Sequence, residues 1–294
     1  MGRLRGWSFR IAGWPTGGAL VDPLVPVLIA LTGACIVPSL APTGDAMSPQ
    51  LAADVSLVRG ARIFFLHQSV GANVLEGVER LDVEVAGPKL RMVTLPAAST
   101  VAGPAVVHGS GGDNAAPTSK IDFFARAIAE APGLAPELAF LKLCYVDVDP
   151  ATDVDALFAH YRHTLRGLAV RYPEIRFAHV TVPLTTSGRG LKSALRRFLG
   201  LPVWQDAANV KRSAFNERLK AEFADAPIFD LAHIESTGPD GVSSFVWNAH
   251  SYPCLDASYT NDGGHLNATG ERVVAAAWLR FVAAALRERR ASAR

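Results

Sequence analysis

The chain has 294 residues, of which 49% are hydrophobic, and a formal net charge of +2. This length accommodates one large domain or two small ones, and the apolar fraction is sufficient for a sizeable core. Lysine and arginine are spread along the chain and do not form one stripe. The sequence therefore predicts no nucleic-acid partner.

The first segment differs from the rest of the chain. Three arginines within the first ten residues precede an uncharged, largely apolar run over 23–41. This order is typical of a secretory signal peptide. An uncleaved membrane anchor is the alternative, because the run is about long enough to span a bilayer. We expect 1–46 to be a signal peptide or an N-terminal membrane anchor, so that a membrane attachment, where there is one, runs through this segment only. The domain, 47–294, is then exported: periplasmic, secreted or anchored outside the cytoplasm.

After residue 61, short apolar runs alternate with stretches of helical period. This alternation predicts βαβ units around a parallel sheet that is covered on both faces. The predicted strands are 62–67, 90–95, 138–145, 176–182 and 228–231. Three helices have recognisable starts, at Thr118 or Ser119, at Thr152 or Asp153, and at Asn267 or Thr269. The connections 184–207 and 235–259 are predicted to be long loops, which are often functional.

Two cysteines lie in the predicted domain, Cys144 and Cys254. In an oxidising compartment they could form a disulfide, and the equal alternative is a pair of buried thiols.

Ser69 is the candidate nucleophile. It lies two residues past the first predicted strand and directly before a helix. Reactive groups gather at the carboxyl ends of parallel strands, and helix amides there can stabilise negative charge. The alternative is an ordinary helix-capping serine.

Asp262 and His265 are the candidate partners of this serine. They lie three residues apart in a glycine-rich loop before the last helix. This spacing lets the carboxylate orient one imidazole nitrogen while the other faces a serine. A pair that only stabilises its loop is the alternative, but the order of all three residues on this sheet favours catalysis.

A serine after the first strand and an Asp-x-x-His-Leu-Asn block before the C-terminal helix resemble the first and last blocks of the SGNH (GDSL-like) hydrolase family. The resemblance covers most of the chain after residue 61, through the order and spacing of its blocks. It implies a three-layer α/β/α sandwich with a central parallel sheet, flavodoxin-like in topology. It also implies that Ser69 is the nucleophile, His265 the general base and acid, and Asp262 its orienting carboxylate, with no metal or organic cofactor.

Two blocks differ from the family pattern. Its Gly-Asp-Ser reads His-Gln-Ser at 67–69, and its Gly-x-Asn-Asp reads Cys-Tyr-Val-Asp at 144–147. The asparagine that donates to the oxyanion in the family therefore lacks a counterpart there. We expect Gly111 or Gly112 to match the glycine of the remaining block, and Asn114 to supply the missing amide.

Further aromatic and polar residues are candidates for the substrate cleft, with core packing as the equal alternative. They are Tyr145, Asp147, Trp247 and Tyr252, with His67 beside the nucleophile.

We do not predict a metal site. His160 and His163 lie one turn apart on a helix without a third ligand nearby, and the aspartates over 147–155 lack the glycine and glutamate of a calcium loop.

The predicted function is a serine esterase acting on a small-molecule or carbohydrate ester through an acyl-enzyme. The family resemblance and the predicted export together imply an acetylated sugar as one candidate substrate. An O-acetyltransferase using the same triad is one alternative. The other is a catalytically silent envelope protein that binds carbohydrate.

Overall fold

The computed structural model describes residues 47–95, 101–130, 133, 135–188 and 190–292, which belong to one compact unit, Ala41–Arg294. The predicted signal peptide or anchor, 1–46, lies outside the described residues. Within the described ranges, no helix combines the length and the apolar character needed to cross a membrane.

The secondary structure alternates between strands and helices, as the sequence predicts. The strands are β1 (Arg62–Leu66), β2 (Met92–Thr94), β3 (Ala105–Gly109), β4 (Leu138–Leu141), β5 (Arg176–Phe177), β6 (His179–Val180), β7 (Ile228–Phe229), β8 (Thr237–Gly238), β9 (Gly241–Val242), β10 (Ser244–Trp247) and β11 (His250–Pro253). The α-helices are α1 (Pro49–Arg59), α2 (Val70–Val83), α3 (Pro117–Glu130), α4 (Val154–Arg171), α5 (Gly190–Phe198), α6 (Trp204–Glu222), α7 (Leu231–Ser236) and α8 (Ala268–Ser292). Two 3-10 turns cover Tyr145–Asp147 and Ala257–Tyr259.

Five strands form a parallel sheet in the order β2-β3-β1-β4-β5. The chain continues from β5 into β6, which pairs in parallel with β7. Side chains of β1 alternate between two cores, with Ile63 and Phe65 on one face of the sheet and Phe64 and Leu66 on the other. Helices α1, α2 and α8 cover the first face, and α3, α4 and α6 cover the second. The predicted three-layer α/β/α sandwich is confirmed.

Several predicted boundaries are wrong for local reasons. β4 ends at Leu141, because the Asp147 carboxylate accepts a hydrogen bond from the Cys144 amide and closes a turn there. The run 228–231 ends early because Asp230 caps α7. Helix α3 begins at Pro117, a residue suited to the first helical position. The last helix begins at Ala268 and is capped by Asn267, as predicted.

Three larger features were missed or misassigned from the sequence. Strand β3 was not predicted, because its short apolar run lies between glycine-rich segments. The predicted loop 184–207 contains α5 and the start of α6, and 235–259 contains two antiparallel hairpins, β8-β9 and β10-β11.

Of the two alternatives for the cysteines, the structure shows buried thiols: Cys144 and Cys254 do not form a disulfide.

Helices α2 and α8 pack closely through Gly77. A Cβ atom added at Gly77 would lie 2.5 Å from the Glu271 carbonyl oxygen and 2.8 Å from the Ala275 Cβ. The side chains of Asn73 and Arg80 both donate hydrogen bonds to the Glu271 carboxylate, the first at 3.2 Å. Because Asn73 and Glu271 lie in the first turns of their helices, this contact fixes the two helix starts relative to each other.

A buried carboxyl lies in α7, beside the segment that follows β6. Glu235 of α7 is fully buried and accepts a hydrogen bond from the Leu184 amide. Burial raises the pKa of Glu235 to about 8, although the Leu184 amide and the charges of Lys142 and Arg212 act in the opposite direction. The folded protein therefore holds this group protonated at neutral pH.

We expect Gly77→Ala to lower the free energy of unfolding by about 1–3 kcal/mol, because the added methyl group pushes α2 and α8 apart. Gly167→Ala is the matched control, since Gly167 lies within α4 and a Cβ there would meet nothing within 4 Å. The control should be neutral or up to about 1 kcal/mol more stable. Urea unfolding measures both, and equal stability of the two variants would contradict the close packing.

We expect Glu235→Gln to reduce the loss of stability between about pH 5 and pH 8. In the wild type the unfolded carboxyl ionises in this window while the folded one stays neutral. The folded state binds more protons, so stability falls by up to about 1.4 kcal/mol per pH unit as pH rises. Glutamine removes this contribution. Urea unfolding across the window measures it, with the exposed Glu217→Gln as control, and an unchanged slope in Glu235→Gln would refute the assignment.

Candidate functional site

Ser69 lies in the turn between β1 and α2, at the carboxyl edge of the central strand. Its φ of 54° is in the left-handed region, which a residue with a side chain adopts at a cost of about 1–3 kcal/mol. Although Ser69 precedes the helix, its side chain makes no capping hydrogen bond. Its Oγ instead lies 2.5 Å from Nε2 of His265. The capping alternative is therefore not what the structure shows.

His265 lies between Ser69 and Asp262. Its Nδ1 is 2.6 Å from Oδ2 of Asp262, on the side of the ring opposite Ser69. The other carboxylate oxygen, Oδ1, accepts hydrogen bonds from the amides of Gly264 and His265 at 2.9 and 2.8 Å. The carboxylate thus holds both the imidazole and the loop that carries it.

The electrostatics keep Asp262 ionised. Partial burial acts to raise the pKa of Asp262, but hydrogen bonds from the His265 ring and from the His265 and Gly264 amides outweigh it and hold the pKa well below its usual range. A carboxylate that stays charged accepts the Nδ1 proton of the imidazole. The nitrogen that faces Ser69 is then the basic one.

Tyr145 completes the immediate surroundings of the serine and the histidine. Its hydroxyl lies 3.5 Å from His265 Nε2 and also interacts with the Ser69 side chain. Gly264 permits this approach, since a Cβ there would lie 2.9 Å from the tyrosine ring. Burial, together with the negative charge of Asp262, raises the pKa of Tyr145, so the phenol remains protonated and can donate.

The other predicted oxyanion residues lie in a loop that is tied to the nucleophile. The Gly112 carbonyl accepts a hydrogen bond from the Gln68 side chain at 3.0 Å, and Gln68 directly precedes Ser69. The Asn114 Oδ1 accepts from Lys120 at 2.8 Å, which leaves its amide nitrogen as the donor end. The roles of Gly112 and Asn114 at the oxyanion stay predictions.

Asp147 is buried among structural partners, and its role in the substrate cleft stays a prediction. Its buried carboxylate forms an ion pair with Lys120 at 2.7 Å and accepts hydrogen bonds from the amides of Ala115 and Cys144. These contacts tie the loop after β3 to the turn after β4. Sequence reasoning missed Lys120, although it occupies a position on the apolar face of α3, next to the buried Ile121 and Phe124.

His67 forms a pair with His108, which the sequence analysis did not single out. His67 Nε2 lies 3.1 Å from His108 Nδ1. Burial, with contributions from His108 and Lys142, lowers the pKa of His67 to about 3, and burial also lowers the pKa of His108. Two neutral imidazoles can share one hydrogen bond, so this contact supports the end of β1 beneath the serine.

The structure places two of the aromatic cleft candidates on the β10-β11 hairpin. Tyr252 lines a cavity of about 570 Å³ between α6, α7 and the hairpin, and its walls include neither Ser69 nor His265. Trp247 lies at the end of β10.

No cluster of three or more metal-ligating side chains occurs among the residues that the structure describes. His160 is bound to Asp122 at 2.8 Å, and Asp153 caps α4. These contacts give both residues structural partners.

No family model matches the sequence, and no curated protein matches it. The structure is similar to that of a protein from Slackia heliotrinireducens named as an SGNH hydrolase, with 16% identity, 76% of this chain and 99% of that chain covered, and a TM-score of 0.45. It is also similar to a peptidoglycan O-acetylesterase, with 12% identity, 63% and 48% covered, and a TM-score of 0.41. A third is the periplasmic domain of a lipopolysaccharide acetyltransferase from Salmonella ser. Paratyphi A, with 14% identity, 78% and 87% covered, and a TM-score of 0.43. The first name is that of the family which the sequence resembles.

Proposed function

We propose that this chain is a serine esterase of the SGNH type. The observation that carries the proposal is the chain of contacts from Ser69 Oγ to His265 Nε2 at 2.5 Å and from His265 Nδ1 to Asp262 at 2.6 Å. A serine becomes an effective nucleophile only when a neighbouring base accepts its proton. The arrangement supplies that base and the carboxylate that orients it.

The reaction proceeds in two steps. Ser69 Oγ attacks the ester carbonyl while His265 Nε2 takes the serine proton, and the imidazolium is stabilised by Asp262. The tetrahedral intermediate collapses, His265 gives the proton to the leaving alcohol, and an acyl-serine remains. Water, deprotonated by the same imidazole, then releases the acid.

We infer that Tyr145 donates a hydrogen bond to the oxyanion. Its hydroxyl is next to both Ser69 and His265, and its raised pKa keeps the donating proton in place. A tyrosine hydroxyl is one of the groups that can stabilise a tetrahedral oxyanion. This role would compensate for the asparagine that the block over 144–147 lacks. Gly112 and Asn114 are further candidates for this function.

The substrate that we propose for the first tests is an acetyl ester of a carbohydrate, outside the cytoplasm. The predicted export of the chain supports this choice, because sugars of the cell envelope are then accessible. The loop that holds Asp262 and His265, which we call the catalytic loop, is partly exposed, and both side chains are reachable from solvent. The site therefore does not require a small enclosed substrate.

We expect Ser69→Ala to reduce hydrolysis of p-nitrophenyl acetate by at least about a thousandfold, because the acyl-enzyme can no longer form. The assay uses residues 41–294 and monitors p-nitrophenolate release, with circular dichroism to confirm folding. Ser56→Ala is the matched control, since Ser56 is exposed on α1 and its hydroxyl donates to the Ala52 carbonyl of the same helix. Equal hydrolysis by Ser69→Ala and the wild type would refute the proposed mechanism.

We expect Tyr145→Phe to lower kcat by about a hundredfold to a thousandfold with little change in KM, because the hydroxyl acts mainly on the oxyanion of the transition state. The same variant should bind a phosphonate transition-state analogue more weakly by a similar factor. Tyr172→Phe, at the end of α4, is the control. An unchanged kcat would remove Tyr145 from the oxyanion site. A rise in KM without a fall in kcat would assign Tyr145 to substrate contact instead.

A further inference from the structure

A solvent-exposed apolar face lies beside the catalytic loop. Leu191 and Phe198 of α5 expose 91% and 86% of their surface. We define the α5 surface as these two residues with four neighbours that are 47–58% exposed, namely Leu195, Leu199, Leu201 and Trp204. A contiguous patch of large, solvent-exposed apolar side chains is typical of an interaction site.

The spacing of these residues makes α5 amphipathic. Leu191, Leu195 and Phe198 recur at intervals of four and three, which places them on one side of the helix. Lys192 follows Leu191 directly and lies at the edge of that side. Over 184–205 the sequence has four basic residues and no acidic one. Apolar and basic side chains together are typical of a helix that lies in the interface of an anionic membrane.

The segment that carries this surface is fixed at its base. The Gly188 amide donates a hydrogen bond to the Asp206 carboxylate at 3.0 Å. This bond joins the residues before α5 to the first turn of α6. Within the segment, Arg196 Nε donates to the Pro202 carbonyl at 2.8 Å. These bonds hold the base of the segment and the end of α5, which carries the apolar side chains on one side.

The same segment is attached to the catalytic loop. The Thr186 amide donates a hydrogen bond to the Gly263 carbonyl at 2.9 Å, and Gly263 directly follows Asp262. Only three residues separate Thr186 from the start of α5. A surface that α5 contacts is thus adjacent to the loop that holds Asp262 and His265.

We propose that the α5 surface docks on an anionic lipid bilayer, with its apolar side chains at the acyl boundary and its basic residues at the lipid phosphates. Charge decides between the possible occupants. A second copy of the chain would bring two basic segments together, which repel. An anionic membrane attracts the basic residues and also receives the apolar ones. Docking is independent of the proposed esterase activity, but it would place the catalytic loop close to esters held at a membrane.

The test is co-sedimentation of residues 41–294 with vesicles of phosphatidylcholine, with and without phosphatidylglycerol. This part of the chain is the compact unit and leaves out residues 1–40 of the predicted signal or anchor. We expect binding to the anionic vesicles that weakens as salt is raised. Leu191→Glu combined with Phe198→Glu should weaken binding by about tenfold or more, and Lys192→Gln by about fivefold.

Val170→Glu is the matched control, because Val170 of α4 is 84% exposed and undergoes the same change from apolar to acidic. It should bind vesicles as the wild type does. Hydrolysis of p-nitrophenyl acetate by each variant checks the catalytic site separately, so a failure of docking is distinguishable from a failure of the esterase proposal.

Two outcomes would overturn the proposal. One is equal vesicle binding by the wild type and the α5 double variant, or no binding by either. The other is a concentration-dependent dimer of the wild type, seen by sedimentation velocity without lipid and lost in the double variant, which would assign the α5 surface to a second copy.

Discussion

The contact between α2 and α8 is the constraint on which the candidate site depends. Ser69 directly precedes α2, and His265 lies three residues before α8, so the separation of the two side chains follows from the packing of the two helix starts. Gly77 lets the helix backbones approach, and the Glu271 carboxylate binds side chains of α2 across the same contact. The 2.5 Å distance between Ser69 Oγ and His265 Nε2 is the consequence at the edge of the sheet.

A second set of contacts joins the loops around that pair. The ion pair between Lys120 and Asp147 connects the loop after β3 with the turn after β4, and the turn carries Tyr145 to His265. Gln68 adds a bond from the serine turn to Gly112. Each loop follows a different strand of the parallel sheet, which is why groups distant in sequence converge at one edge.

The sequence was informative where a local pattern carries the physical signal. Apolar runs located the strands that it identified, because a strand covered on both faces needs apolar side chains along its length. β3 escaped detection because only a short apolar run separates its glycine-rich flanks. Helix α5 was not predicted because it is short and is bounded by Gly190 and Gly200, so its segment resembled a loop although its apolar residues have helical spacing. Lys120 was not predicted because the role of a lysine on an apolar helix face depends on its buried partner, here Asp147, which the local sequence does not indicate.

By itself, the sequence determined the alternating α/β order, the three-layer class and the short list of residues able to perform nucleophilic chemistry. These depend on side-chain type and on spacing along the chain, which are local properties. Only the tertiary structure decided that Ser69 bonds to His265 and does not cap α2, that Asp147 is paired with Lys120, and that Tyr145 lies beside Ser69 and His265. The reason is geometric. A hydrogen bond needs its two heavy atoms within about 3 Å of each other. Distances on that scale are set by the packing of whole helices and loops, which the spacing of residues along the chain does not reveal.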